Sequence, residues 1–332
     1  MLHRHWLITL LCLTGLVAPV FGQDKDKALL KWKFEKGKTF YQKMTTATDQ
    51  SMKVMGSDIK QTQSQTFIFS WTPDSEKDGA WTIKQKIEAV MMKIDIGGNQ
   101  ISYDSTKETN QNNPLSDFFK ALVGSEFTIT IAPDKDGRYK VTKIEGRKEF
   151  VQKLISANQQ MEPLLNQILS EDALKEMADP TFGALPNKEV TKNDTWKQES
   201  TLNMGPIGKY NTTYTYTYEG KEKVGDKNLD KISLATDMKY TPPAENEAAA
   251  GLPFKIKKAD LTTKNGKGTL YFDPDKGRVE KSEMSLDISG KLSIEIGGQT
   301  TDVDLSQTQK TTVETSDANP AAPAKKAEAD GK

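Results

Sequence analysis

Histidine and cysteine are almost missing from this sequence of 332 residues. Its two histidines, His3 and His5, and its single cysteine, Cys12, all lie within the first 22 residues. Residues 23–332 therefore cannot form a Ser-His-Asp triad, a Cys-His pair, a thiolate nucleophile or a His-ligated metal or haem site. Neither common glycine-rich phosphate-binding pattern is present. The composition thus excludes the commonest nucleophilic and metal-dependent mechanisms, and we predict no cofactor and no metal.

Long apolar runs are also scarce, and the longest, Trp6 to Val20, begins near the N-terminus. Arg4 precedes this run, and Val20 and Gly22 suit the −3 and −1 positions of a cleavage site. This pattern predicts a secretory signal peptide over residues 1–22, and no membrane span after its removal. An exported chain without disulfide bonds is typical of a bacterial envelope protein whose hydrophobic core is large enough to stabilise the fold by itself. We therefore expect a periplasmic or extracellular protein.

Neither sign of charge predominates in the remaining chain. Loss of Arg4 leaves 45 basic and 46 acidic residues, and the two signs are interspersed. A stripe or block of basic residues, which would indicate binding to nucleic acid or to an anionic membrane, does not occur. The last residues, 316–332, are rich in Ala, Pro, Lys and Asp, and are predicted to be a disordered tail.

The rest of the chain is dominated by alternation of period two, which is typical of β-strands. Phe67, Phe69 and Trp71 alternate with smaller residues, and Tyr214 begins an alternating Tyr/Thr run. Similar turn sequences recur in residues 28–146 and 182–315, which suggests two equivalent halves. One of three matching pairs is out of order, however, so convergent hairpin turns explain the matches about as well.

Turn-forming residues set the predicted ends of these strands. We expect a turn over residues 73–79, a bulge near residues 89–91, and a short helix that starts at Asn113 and ends before Gly124. In the second half, separate strands are predicted over residues 256–261, 268–272, 278–288 and 292–296.

A single amphipathic helical segment, residues 147–178, lies between the two β-rich halves. Pro163 is expected to kink or restart it, Ser170 to cap its last turn, and Asp179-Pro180 to end it, before an extended run over residues 182–196. An isolated helix needs a surface on which to bury its apolar stripe. We therefore predict one mainly β domain over residues 23–315, in which a curved antiparallel sheet or open barrel packs around a central kinked helix.

This arrangement suggests where a ligand would bind. A curved sheet with a helix as its lid leaves a concavity suited to a lipid or another apolar small molecule. Its candidate lining consists of aromatic strand residues and apolar helix residues, although core packing is the favoured explanation for them. These residues are Trp71, Trp81, Phe150, Leu154, Tyr214, Tyr216 and Tyr218.

Two alternatives to ligand binding stay open. One is a structural or interaction protein with a solid core, which contacts an envelope protein through its strand faces. The other is a carboxylate-dependent hydrolase, for which no recognisable pair of acids stands out among the many present. We expect a protein that is not an enzyme.

One stretch carries a resemblance to known sequences. Phe182, Leu185-Pro186, Val190 and Asn193-Asp194-Thr195-Trp196 follow the helical segment and precede the Tyr/Thr strand. In this pattern the chain resembles an uncharacterised family of secreted bacterial proteins, which implies no particular activity. In layout alone it is similar to periplasmic lipoprotein carriers, whose open curved sheet is closed by helices.

Overall fold

The computed structural model of the protein describes residues 27–107, 116–244 and 252–322. Some predictions fall outside these ranges, namely the signal peptide (1–22), the helix start at Asn113 and the end of the tail (323–332).

One antiparallel sheet of twelve strands dominates the described part of the chain, and it is not closed. Strand β1 (Lys27–Leu30) lies outside this sheet and pairs with β8 (Lys188–Thr191). The first six strands of the large sheet are β2 (Phe40–Val54), β3 (Ser57–Lys77), β4 (Ala80–Ile96), β5 (Asn99–Asp104), β6 (Glu126–Pro133) and β7 (Tyr139–Glu145). The other six are β9 (Thr195–Asn203), β10 (Lys209–Val224), β11 (Lys227–Thr241), β12 (Lys255–Asp273), β13 (Arg278–Ile296) and β14 (Gln299–Ser316). The predicted mainly β, antiparallel fold is confirmed.

The two predicted halves form two neighbouring parts of this sheet. Its strand order is β7-β6-β4-β3-β2-β14-β13-β12-β11-β10-β9, with β5 paired to β4. The first long strand therefore meets the last one in the middle, where Tyr41 lies opposite Ser316 and Val54 opposite Val303. All other neighbours in the sheet are close in sequence, apart from the pairing of β4 with β6. The two edge strands, β7 and β9, flank the helical segment in the chain.

Tight glycine turns join the long strands. Met55 and Gly56 both have positive φ, at 50° and 82°, and connect β2 to β3. Gly97 and Gly98, with φ of 58° and 92°, connect β4 to β5 in the same way. Two successive residues of positive φ match the right-handed twist of the strands they join. These turns set the register of the hairpins.

Several strands are longer than the sequence predicts. Strand β3 continues through Pro73 to Lys77 with a register shift, and only Asp78-Gly79 forms the turn. The prediction that residues 268–272 and 292–296 are separate strands was also wrong, because β12 and β13 run on without a break. Gly290 falls between the predicted strands 278–288 and 292–296. It lies within β13, where a Cβ atom would overlap the carbonyl oxygen of Asp260.

The bulge predicted near residues 89–91 is present one residue earlier. Strand β3 pairs Ile68 with Ala89 and Phe69 with Ile87, so Glu88 is the extra residue on β4. A bulge bends the strand that carries it and increases its twist. Residues on the two sides of Glu88 can therefore face the same side of the sheet.

The helical segment consists of three helices and a short 3-10 turn. The first described helix of the chain, α1 (Ser116–Leu122), lies before β6 and outside this segment. The segment contains α2 (Arg147–Ala157), the 3-10 turn Gln159–Met161, α3 (Glu162–Ile168) and α4 (Glu171–Gly183). Pro163 lies in the first turn of α3, as expected for a restart, and the Ser170 hydroxyl accepts a hydrogen bond from the Ala173 amide at 3.2 Å. One kinked helix was therefore too simple a prediction, although the restart and cap are confirmed.

The prediction that Asp179-Pro180 ends the segment was wrong, since α4 continues to Gly183 with Pro180 inside it. Proline removes one helical hydrogen bond and crowds the preceding turn. Contacts on both sides of Pro180 offset this cost. The Asp179 carboxylate is hydrogen bonded to the sheet, and the Phe182 side chain is fully buried.

Helix α4 joins the two edges of the open sheet. One oxygen of Asp179 accepts the Val141 amide of β7 at 2.7 Å, and the other accepts the Gln198 amide side chain of β9 at 3.2 Å. One turn earlier, Glu176 accepts hydrogen bonds from the Ser200 hydroxyl (2.9 Å) and the Thr201 amide (3.1 Å) of β9. The helix carboxylates thus satisfy donors on the two edge strands and link β7 to β9 through α4.

Aromatic side chains pack beside this link between the edges. Phe182 contacts Trp71 edge to face, with ring centroids 5.4 Å apart, and lies 5.9 Å from Trp32 and 6.4 Å from Phe34. The indole of Trp32 donates to the Phe182 carbonyl oxygen at 3.0 Å. This cluster connects the segment before β2, the end of α4 and strand β3.

Candidate apolar binding cavity

A cavity of about 480 Å³ lies between the sheet and helix α4. Its lining comes from both halves of the sheet and from the helices. We define the inner face of the sheet as the face that carries this lining. Of the 23 described residues that line the cavity, 19 are apolar, and none of the 23 is charged.

The sheet supplies most of the cavity wall. Phe67, Phe69 and Trp71 follow one another at period two on β3, and the rings of Phe67 and Phe69 stack at 5.7 Å. Period-two spacing places them on the inner face together. The other apolar residues of this wall are Met44, Ile87, Phe127, Ile129, Ile144, Leu270, Val279 and Val313.

The helices supply the opposite wall. Leu174, Met177, Ala178 and Thr181 lie at helical spacing on α4, so they share one side of the helix. Met177 is 41% exposed, so solvent reaches the cavity wall at this position. The other residues from helices and their connections are Leu122, Phe150, Leu169, Pro180 and Ala184.

The polar groups of the cavity are few and uncharged. They belong to Gln42, Gln85, Thr181 and Ser282, together with the indole of Trp71. Gln42 is buried, and its amide lies 3.5 Å from the Thr315 hydroxyl. A largely apolar pocket with a few polar groups is the usual form of a small-molecule site.

Two of the seven residues predicted to line a ligand site lie on the cavity. They are Trp71 and Phe150. Trp81 packs instead against Phe34, with ring centroids 5.5 Å apart, and Leu154 is 1% exposed within the core. The structure thus brings one predicted strand aromatic, Trp71, and one predicted residue of helix α2, Phe150, to the cavity.

The three predicted tyrosines lie in the packed part of the second half, outside the cavity lining. Tyr218 is fully buried and donates to an Asp230 oxygen at 2.8 Å. Tyr216 donates to the Gln198 side chain at 3.2 Å, and the Tyr214 ring stacks on that of Tyr216 at 6.4 Å. The two buried hydroxyls therefore have internal partners, which is what core tyrosines require.

Most of the lining was not identified from the sequence. The alternation of Phe127 and Ile129 in β6 is typical of a strand, but it does not show which face of the strand meets the helices. Leu270, Val279 and Val313 reach the cavity only because β14 pairs with β2, which brings the last strands next to the first. Period-two spacing does group such residues on one face, but it does not say which distant strand they join.

A buried chain of hydrogen bonds anchors α4. The Tyr216 hydroxyl donates to Gln198 Oε1, Gln198 Nε2 donates to Asp179, and the Val141 amide donates to the same carboxylate. Burial raises the pKa of the Asp179 carboxyl, and its hydrogen bonds lower it to a smaller extent. Burial also raises the pKa of the Tyr216 hydroxyl, which stays protonated. Asp179 does not line the cavity, so its role is to hold the wall.

The motif that carries the family resemblance is also structural. Phe182, Leu185, Val190 and Trp196 are all buried, and the Trp196 indole donates to the Ala184 carbonyl oxygen at 2.9 Å. These residues fix the end of α4 and the approach to β9.

The chain shows distant similarity to three solved structures. A structure of lipid–protein interactions in lipovitellin matches with 11% identity, a TM-score of 0.37, and coverage of 88% of this chain and 27% of the other. Pseudomonas aeruginosa OccK5 (OpdH) matches with 7% identity, a TM-score of 0.21, and coverage of 86% and 99%. A DUF1329 family protein from Desulfovibrio piger matches with 6% identity, a TM-score of 0.19, and coverage of 85% of each chain. The chain spans about a quarter of the lipovitellin chain. These TM-scores are all below 0.5, and we base no functional conclusion on them.

Three further findings concern membrane spans, curated proteins and sequence families. Among the described helices, none combines the length and hydrophobicity needed to cross a membrane. The search of curated proteins found no match. At the level of sequence families, however, one match covers residues 78–277, more than half of the chain, and the protein belongs to that family, the family of unknown function DUF6263.

Proposed function

We propose that this protein binds an apolar, lipid-like ligand in the cavity between the sheet and α4, without reacting with it. The observation that carries this proposal is the cavity itself, with a volume of about 480 Å³ and 19 apolar residues among the 23 that line it. Small-molecule sites occupy roughly 300–1,000 Å³ and have this kind of lining. Water gains little from such a space because it offers few hydrogen-bond partners, so an apolar ligand is the favoured occupant.

The cavity supports this function over a structural protein with a solid core. Protein interiors are packed with few voids larger than a water molecule. An apolar space of this size beneath the predicted lid is what the ligand-binding hypothesis requires, whereas the alternative requires none. Partner binding through the outer strand faces stays compatible with a ligand inside.

The chemistry of the lining supports a role without catalysis. A carboxylate-dependent glycosidase needs two acids facing each other across its cleft. The described lining contains no Asp or Glu, and Asp179 is occupied with the anchoring of α4. The site can therefore hold a ligand away from water and release it again without reacting with it.

The N-terminal sequence supports a location outside the cytoplasm for this activity. The basic start, the apolar run Trp6 to Val20 and the small residue Gly22 support export and removal of residues 1–22. An exported protein that encloses an apolar molecule would carry or shield it in the aqueous space of the envelope.

The test is ligand capture by the purified chain from residue 23. Native mass spectrometry and lipid extraction should find a bound apolar molecule, and an apolar fluorescent probe should bind and be displaced by lipids. Ala178→Phe and Ser282→Phe should each weaken probe binding at least tenfold, because they fill the space from opposite walls. Met55→Phe, at an exposed hairpin turn, is the matched control and should bind normally. Absence of binding by the wild-type chain would refute the proposal. So would binding of the probe by both filled variants with the same affinity as the wild type.

A further inference from the structure

The inner face of the sheet continues beyond the cavity along its central strands. Met44 of β2 lies opposite Phe67 of β3 and Val313 of β14, and all three residues line the cavity. Residues directly opposite each other on antiparallel strands share a face, and so do residues two apart along one strand. The rows of residues that follow Met44 at steps of two therefore extend the same wall.

The next three rows consist of glutamine and threonine alone. The first two rows are formed by Gln65, Thr46 and Thr311, and by Gln63, Thr48 and Gln309. The third row is formed by Gln61, Gln50 and Gln307, and we define these nine residues as the polar patch. The patch extends about 14 Å along the strands and about 10 Å across them.

The polar patch is uncharged, although 28% of the residues of the chain are charged. The same strands do carry charge where they face away from the cavity, at the exposed residues Asp49, Lys60 and Lys310. A carboxylate or phosphate group binds best to Lys or Arg, and it is costly to bury without such a partner. The patch therefore suits an uncharged ligand group.

The side chains of the patch are accessible and largely free to bind. All nine residues are half-buried, and none has a buried polar side-chain atom without a partner. Gln63 donates a hydrogen bond to Gln65 at 3.1 Å, and the hydroxyls of Thr46 and Thr311 lie 3.2 Å apart. The other five side chains form no hydrogen bond within the described part of the chain, so a ligand can reach their polar groups.

The chemistry of these groups indicates what they would bind. Each glutamine side chain offers two N–H donors and a carbonyl acceptor, and each threonine hydroxyl both donates and accepts. A sugar hydroxyl also donates and accepts and carries no charge, so it can pair with any group of the patch. Several hydroxyls on one headgroup would engage several of these side chains together.

We infer that the ligand is a glycolipid, whose apolar tail lies in the cavity and whose uncharged sugar headgroup is hydrogen bonded to the polar patch. The inference rests on the proposed function for the position of the tail. It adds a second site, for the headgroup, and the chemical class of that headgroup. Met44, Phe67 and Val313 form the boundary between the two sites, because they line the cavity and precede the first row of the patch.

The double variant Gln63→Ala/Gln309→Ala tests the patch, because it removes the amides on both sides of Thr48 and leaves the cavity lining intact. Dodecyl maltoside, dodecylphosphocholine and 1-dodecanol share one tail and differ in the headgroup. Their affinities for the chain from residue 23 are measured by displacement of an apolar fluorescent probe, at concentrations below those at which micelles form. We expect the double variant to weaken dodecyl maltoside fivefold to tenfold and to leave the other two ligands within twofold. Gln299→Ala is the matched control, an exposed glutamine at the start of β14, and should change none of the three.

Several results would overturn the inference. Equal weakening of all three ligands would show that the substitutions act on the tail site or on the fold. Unchanged binding of dodecyl maltoside would show that the patch is only a solvated surface, and an equal loss for dodecylphosphocholine would contradict the preference for hydroxyl groups. In each of these cases the inference fails while the proposed function stands, because the tail still binds. If the wild-type chain binds none of the three ligands, the proposed function fails and the inference with it.

A measurement on the wild-type chain shows whether the headgroup contacts the patch directly. With 15N-labelled glutamine, the two side-chain NH₂ signals that are missing from the spectrum of the double variant belong to Gln63 and Gln309. Dodecyl maltoside should shift both signals, and 1-dodecanol should shift neither. The absence of a maltoside-specific shift at both positions would refute the contact.

Discussion

Asp179 offers a sharp test of how the open sheet is held together, because one carboxylate contacts both edges. It accepts the Val141 amide of β7 at 2.7 Å and the Gln198 side chain of β9 at 3.2 Å. Asp179→Ala removes both acceptors while leaving a good helix former in α4. The edges β7 and β9 would then be joined through α4 with fewer hydrogen bonds, and two donors, the Val141 amide and the Gln198 side chain, would lose their acceptor.

The size of the effect follows from the groups left behind. The buried Val141 amide loses its acceptor, which costs about 1–3 kcal/mol, and the lost bond to Gln198 contributes about 1 kcal/mol more. Relief of the buried carboxylate offsets part of this, since its raised pKa shows that burial disfavours the charged form. We expect Asp179→Ala to lower the free energy of unfolding by about 2–3 kcal/mol.

Asp179→Asn separates the hydrogen bonds from the charge. The asparagine oxygen can still accept the Val141 amide, but its NH₂ group faces Gln198, so the loss should be about 1 kcal/mol at neutral pH. Because the folded pKa of Asp179 is raised, the folded chain binds more protons than the unfolded chain between the ordinary Asp value near about 4 and that raised pKa. The wild type therefore loses stability as pH rises through this window, and the asparagine variant does not. The difference between them should be largest in acid and shrink toward neutral pH.

Urea unfolding, followed by tryptophan fluorescence from pH 3.5 to 8, measures both effects. Glu199→Ala is the matched control, because Glu199 is an exposed acid next to Gln198 on the same strand and should change stability by less than about 0.5 kcal/mol. The explanation fails if Asp179→Ala is as stable as the wild type. It also fails if the cost of Asp179→Asn increases with pH.

Two further substitutions test the local structure. Gly290→Ala should lower the free energy of unfolding by more than about 2 kcal/mol, because φ is +151° and the new Cβ would meet the Asp260 carbonyl oxygen. Its control, Gly56→Ala, has open space around the new Cβ and should cost about 1 kcal/mol. Equal losses for the two variants in urea unfolding would contradict this account. Ser170→Ala should cost about 1 kcal/mol through the lost cap to the Ala173 amide, and unchanged stability would argue against the cap.

Local patterns predicted the strands well because each alternates apolar and polar residues within itself. The hairpin at Gly56 and the cap at Ser170 also follow from residue types at single positions. Glycines inside strands were misjudged for a physical reason. Gly290 allows two backbones to approach closely, and nothing in its neighbours distinguishes this role from a turn.

The candidate site was only partly predictable because it depends on contacts between distant residues. Trp71 and Phe150 were identified from aromatic and helical patterns, and both line the cavity. Tyr216 and Tyr218 have the same pattern, but their hydroxyls are satisfied by Gln198 and Asp230, which the sequence does not reveal as neighbours. Val313 enters the lining through the pairing of β14 with β2, a contact between the two ends of the domain.

The link between the two sheet edges and the helical wall of the cavity depend on the same helix, α4. Phe182, part of the motif that carries the family resemblance, packs edge to face on Trp71 at 5.4 Å, while its carbonyl oxygen accepts the indole of Trp32. Three residues earlier in α4, Asp179 is bonded to both edge strands, and Ala178 beside it lines the cavity. A shift of α4 that loosened the edges would therefore also move the wall that faces Trp71. Because one helix performs both tasks, a change that loosens the contacts of α4 with the edge strands should also weaken the proposed ligand binding.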